Sequence, residues 1–146
     1  DRMVSPAVVL DVPGLPAGHA ISQGQVMTAA ERAGGVQDGD VVFIRTGWDR
    51  AYGTPEYLGS PCLEVAAIDW LASRGMKLIG IDAAGVEDLE STEHECHLAL
   101  FTRGLPLIEN LARLDQLGER QRFTTVIAPV AIRGVEAIPV RVLGLI

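Results

Sequence analysis

Apolar positions along this chain fall into short runs separated by glycine, proline and polar turns. "PAVVLDV" at 6–12 is rich in β-branched residues and bounded by prolines, which predicts a buried strand. Ser22 then supplies an N-cap, and "MTAAERAGG" carries good helix formers up to a Gly-Gly stop, predicting a helix from about Gln25 to Ala33. "DGD" turns the chain into a second strand, "VVFIRT" at 41–46. The next segment, "GWDRAYGTPEYLGSP" at 47–61, is longer than most connections in compact domains and is expected to be a functional loop. In "LEVAAIDWLASRG", Leu63, Ala66, Ala67, Trp70 and Leu71 form one helical stripe with Gly75 as its stop. "KLIGID" at 77–82 predicts a third strand, followed by a polar loop, a histidine-bearing segment, "PLIENL" and a short helical turn in "ARLDQL". Two apolar strands, "FTTVIAPVAI" and "IPVRVLGLI", close the chain. Strand alternating with helix, then consecutive strands, predicts an α/β domain with a mixed sheet.

Length and charge narrow the function classes. At 146 residues the chain is one domain's worth, long enough to bury a core without staples. Every apolar run is interrupted by Asp, Glu, Arg or Pro before it reaches the length of a membrane span. The net charge of -7 opposes phosphate neutralisation, and no Lys/Arg cluster forms a basic patch, so neither nucleic acid nor an anionic membrane is an expected partner. Cys62 and Cys96 lie far apart, without the spacing of a disulfide framework, and the expected compartment is the cytoplasm. The chain begins on Asp1 and enters a strand pattern directly, which raises the expectation of an upstream segment.

The chemistry gathers in "STEHECHLALFTRGLPLIENL" at 91–111. Two of the three histidines fall within four residues, and Glu109 stands in an apolar run twelve residues past His97. A carboxylate there must face water, hold a counter-charge or bind a metal. Imidazole and carboxylate suit zinc or manganese, while a hydrogen-bonded core pair would satisfy the same two groups. His94 could share a helical face with His97, although Glu93 and Glu95 place it more naturally on a solvated acidic turn. Asp82 ends a strand, where α/β folds position ligand groups, and could equally cap a turn through backbone amides. Trp48 and Tyr52 are candidate walls for a flat substrate; Trp70 belongs to the core stripe. His19 and Cys62 read as ordinary loop or helix-start residues. No phosphate-binding glycine loop, nucleophile elbow or dinucleotide fingerprint is present.

Taken in order and spacing, "VVFIRTGWDRAYGTPEY", "WLASRGMKLIGID", "HLALFTRGLPLIENL" and "PVAIRGVEAIPVRVLGLI" resemble the cyclase family of metal-dependent hydrolases, which includes bacterial kynurenine formamidase and isatin hydrolase. The resemblance runs over essentially the whole chain, and the element in which Glu-Asn-Leu begins twelve positions after the histidine is its most specific part. It implies a swivelling β/β/α fold, usually oligomeric, and a Zn2+ or Mn2+ site that opens an amide or lactam C–N bond in a small aryl substrate. His97 aligns with a metal-site histidine and is the candidate catalytic residue; Glu109 aligns with a metal-binding glutamate. The family signature H-x-G-T-H-x-D-x-P-x-H, which supplies most of the metal ligands upstream of the first strand, is not in this sequence. The resemblance therefore implies that the remaining ligands come from an upstream segment or a second chain, unless the domain has kept the fold and serves as a non-catalytic subunit. A lyase or dehydratase using the same metal geometry is a further alternative. Where the family tends to carry "GIDTPSVD", this chain has "GIDAAGVED", without hydroxyls at Ala83 and Gly85.

Overall fold

A computed structural model describes residues 3–117 and 121–146. Its centre is a six-stranded mixed sheet in the order β6-β5-β3-β1-β7-β8. The strands are β1 (Val4–Asp11), β3 (Val41–Arg45), β5 (Leu78–Ile81), β6 (Leu107–Ile108), β7 (Arg122–Pro129) and β8 (Val140–Leu145). Four are mutually parallel, from β1 through β3 and β5 to β6, while β7 pairs antiparallel with β1 and β8 antiparallel with β7. A separate parallel pair joins β2 (Ala20–Ile21) to β4 (Cys62–Leu63). The mixed α/β class expected from the sequence is the one observed.

The continuous apolar runs have a direct cause: the central strands are buried on both faces. Val8 and Leu10 of β1, Val42 and Ile44 of β3, and Ile79 and Ile81 of β5 pack on the helical side. There they meet α1 (Gln23–Arg32), α2 (Val65–Ser73) and α3 (Glu95–Phe101). The alternate residues, Ala7, Val9, Val41, Phe43 and Leu78, form the opposite core with Ile108, Leu111, Leu114 and Ile127. On that face Phe43 stacks on Phe123 with ring centroids 6.0 Å apart.

Ser22 caps α1 as expected, through a reciprocal pair: Gln25 N donates to Ser22 Oγ at 3.3 Å, and Ser22 N donates to Gln25 Oε1 at 2.9 Å. The stripe on α2 differs from the expected one. Leu63 lies in β4, Ala66 is exposed, and the buried helical residues are Ala67, Ile68 and Leu71. Cys62 is likewise a buried strand residue of β4. The segment expected to be one strand at 123–132 ends at Pro129, where its partner β8 begins, and 130–132 are exposed loop. Arg122, at the start of β7, donates to both oxygens of the buried Asp40 at 2.8 and 3.0 Å, tying the antiparallel strands to the entrance of β3.

Candidate metal centre

Two chain exits lie side by side and create the site. The segment leaving β5 and the segment leaving β6 are held together where Asn110 N donates to Ala83 O and Leu111 N to Ile81 O, both at 3.0 Å. Glu109 therefore stands directly over Gly85, and a Cβ at residue 85 would lie 2.9 Å from Glu109 Oε1. Helix α3 supplies His97 from the other side, with its Nε2 3.4 Å from the same carboxylate oxygen. The opposite ring nitrogen, Nδ1, bonds to Glu87, a residue of the β5 exit. Glu87 also accepts from Cys96 N at 2.7 Å. Burial works against its charged form, but the hydrogen bonds from His97 and the Cys96 and His97 amides outweigh it, holding the carboxyl below its ordinary range.

His97 and Glu109 are both half-buried and line one side of an open groove of about 1240 Å³. Phe101, one helical turn beyond His97, shares that wall, with its ring centroid 5.6 Å from the imidazole. Ile138 and Val140 line the groove from the C-terminal part of the chain. Two carboxylates flank one imidazole here, which favours a cation.

The donor set fits a divalent metal. Ligands about 2.0–2.2 Å from a tetrahedral ion stand roughly 3.3–3.6 Å from one another, and the His97–Glu109 separation falls in that range. Nitrogen and carboxylate donors suit zinc and manganese alike. Glu87, His94 and His97 also offer ligand atoms within 4.8 Å of one another.

The Cyclase family model, described as "Putative cyclase", matches residues 1–88. This chain belongs to the cyclase family. A kynurenine formamidase from Bacillus cereus is 31% identical over 81 residues, a match covering 56% of this chain and 38% of the formamidase. The chain thus spans well under half the length of that curated relative. An isatin hydrolase bound to the product analogue thioisatinate superposes with a TM-score of 0.85 at 22% identity, over 97% of this chain and 59% of the hydrolase. A potential metal-dependent hydrolase with cyclase activity gives 0.78 at 27% identity, over 97% and 64%.

Within this cyclase-family domain the other sequence candidates occupy distinct places. Asp82 is only 1% exposed, and its carboxylate closes the turn that starts the 47–61 loop. It accepts from Thr46 N and Thr46 Oγ1 at 2.7 Å and from Gly47 N at 2.8 Å. Gly47 adopts a φ of 78°, a left-handed conformation that favours glycine. Burial pushes the Asp82 carboxyl up, against the pull of those three donors. Asp82 thus takes the turn-capping place of its two sequence readings, and none of its atoms lines the groove.

Tyr52 is 69% exposed, lines the groove, and packs edge-on against Tyr57 at 5.2 Å. Tyr57 in turn donates its hydroxyl to Asn110 Oδ1 at 2.9 Å, linking the loop to the residue after Glu109. Trp48 is half-buried beside the turn rather than in the groove lining, and its indole N–H is buried without a partner among the described residues. His94 sits before α3 in a left-handed conformation, 66% exposed at the side chain and 3.8 Å from Glu87. That places it at the N-cap on the acidic turn, with its ring edge-on to His97 at a centroid distance of 6.1 Å. His19, in its loop, pairs with Gln25 at 3.1 Å. Glu87 escaped the sequence reading. The available signal was an acidic residue standing where "GIDTPSVD" ends in Asp.

Proposed function

We propose that this domain forms part of a metal-dependent hydrolase that opens an amide or lactam C–N bond in a small aryl substrate. The observation that carries the reading is the facing pair of His97 Nε2 and Glu109 Oε1, at metal-ligand separation on the wall of a groove. The names of the relatives, a formamidase and an isatin hydrolase, supply the reaction class. A Zn2+ or Mn2+ ion held by His97 and Glu109 would supply Lewis-acid polarisation and a hydroxide source near neutral pH. The chain's own residues would do the rest: His97 and Glu109 would hold one side of the ion, while Phe101 and Tyr52 offer aromatic walls to a flat substrate.

Two ligands among the described residues fall short of the three that a catalytic zinc site uses, and polypeptide outside residues 1–146 is the proposed source of the remainder. The solved relatives support this reading, since about two fifths of the isatin hydrolase has no counterpart here. The groove exceeds the roughly 300–1,000 Å³ of a small-molecule pocket, which leaves room for such a segment, from the same polypeptide or from a partner subunit, beside the substrate. The test is metal content and hydrolysis of an aryl formamide and an aryl lactam by the complete protein. His97→Ala and Glu109→Gln should each lose metal and activity together. Unchanged metal content and turnover in both variants would sink the reading. Product analysis separates hydrolysis from a lyase or dehydratase reaction.

A further inference from the structure

We propose that Glu87 is the positioning residue of this site: it fixes the Nδ1–H tautomer of His97, so that the Nε2 lone pair is presented to Glu109 and the groove. An ionised carboxylate only accepts hydrogen bonds, and of the two carboxylates flanking the ring only Glu87 is hydrogen-bonded to it, Glu109 Oε1 lying 3.4 Å from Nε2, so Nδ1 carries the proton. A neutral imidazole has one N–H, and Nε2 is then left as the donor atom for an ion. Metal-ligating histidines commonly have their second ring nitrogen held in this way.

Glu87 performs a second task with the same carboxylate. The residue that precedes α3, His94, has a φ of 51° and gives no side-chain capping bond. The first-turn amides of Cys96 and His97 would otherwise lack partners. Glu87 Oε1 accepts from Cys96 N at 2.7 Å, and Oε2 lies 3.5 Å from His97 N. One side chain, only 10% exposed, thus fixes both the start of the helix and the imidazole it carries. A rotation of α3 that swung His97 away would also have to release the cap.

The same commitments argue against Glu87, His94 and His97 as a shared metal cage. Both Glu87 oxygens are already engaged, and recruiting His97 Nδ1 to an ion would break its bond to Glu87. The two nitrogens of His97 have separate tasks, Nδ1 toward the protein and Nε2 toward the ion. The importance of the tautomer for metal binding rests on the function proposed above; the tautomer itself does not.

The experiment is long-range proton–nitrogen correlation NMR of the metal-free, complete protein with nitrogen-labelled histidine. It is run at rising alkaline pH until the ring signals are those of neutral imidazole, with His97 assigned by its loss in His97→Asn. The expected result is His97 with the proton on Nδ1 and Nε2 bare. Glu87→Gln, which keeps a carbonyl acceptor, should preserve that pattern, while Glu87→Ala should shift the proton toward Nε2. Metal affinity should fall about 10–100-fold in Glu87→Ala. A wild-type His97 protonated on Nε2, or an unchanged tautomer in Glu87→Ala, overturns the proposal. Should the wild-type protein bind no metal while the tautomer responds as expected, the hydrolase reading fails and the role of Glu87 stands.

Discussion

Replacing Asp82 by Asn changes one atom of a buried group and separates a turn-forming role from a substrate-contacting one. The carboxylate accepts three hydrogen bonds, two on Oδ1 from Thr46 and one on Oδ2 from Gly47 N. An amide oxygen can keep the Thr46 pair, but its NH2 then points at the Gly47 N–H, donor against donor. One charge-assisted bond is lost, worth about 1.5–3 kcal/mol, and the remaining two become neutral, while relief of the buried charge returns part of that. The net expected loss is about 2–3 kcal/mol, or roughly 5–10 °C in Tm for a domain of this size. Asp82→Ala leaves all three donors without an acceptor and should cost more than about 4 kcal/mol. Thermal and urea unfolding of the complete protein measure both. A double-mutant cycle with Thr46→Val should show a coupling of about 1 kcal/mol. Stability within about 0.5 kcal/mol of wild type in Asp82→Asn, accompanied by a raised KM, would refute the turn assignment and return Asp82 to the substrate.

Two further predictions follow from buried ionisable groups. Burial pushes the Tyr57 hydroxyl up to about 12, so its phenolate absorbance should appear only in strong alkali. Because the folded value lies above the ordinary value of about 10, the contribution to stability is complete below that pH and is lost as pH rises through the folded value. Unfolding free energy should therefore fall across that window in wild type and fall less in Tyr57→Phe. Cys96 is buried, donates to Leu63 O at 3.1 Å, and has its thiol pushed up to about 12 by burial; Cys62 is buried and shifted the same way. Neither thiol should react with iodoacetamide in the native protein near pH 8, and both should react after denaturation. Rapid native labelling of Cys96 would contradict its placement.

The parts of the fold legible in the sequence are those whose residues are buried on both faces. The runs at 6–12 and 41–46 correspond closely to β1 and β3, since doubly covered strands leave no polar alternation to misread. Ser22 was legible because the N-cap needs an oxygen and Gln25 completes the reciprocal bond. The phase of α2 differs from the stripe the sequence predicts, because Leu63 is fixed by pairing with Ile21 and not by the helix. Two-residue strands such as Ala20–Ile21 and Leu107–Ile108 are too short to carry a period and exist through their partners. The end of β7 at Pro129 is likewise a property of its pairing with Val140.

At the site, spacing alone left His97 and Glu109 open between a metal pair and a core pair, and the family resemblance proposed their roles. Their meeting depends on the β5 and β6 exits running side by side, a tertiary fact that no local pattern encodes. The same holds for Glu87, whose partners lie nine and ten residues further along the chain.

Gly85 lies beneath Glu109 in the candidate metal centre, where a Cβ would stand 2.9 Å from the carboxylate Oε1. Its missing Cβ sets how deep the Glu109 carboxylate settles, and a flexible carboxylate end yields to a small neighbour without disturbing the sheet. Side-chain size at this one position therefore limits how closely the Glu109 carboxylate can approach the β5 exit, and with it the span between glutamate and histidine that the proposed ion would have to fit.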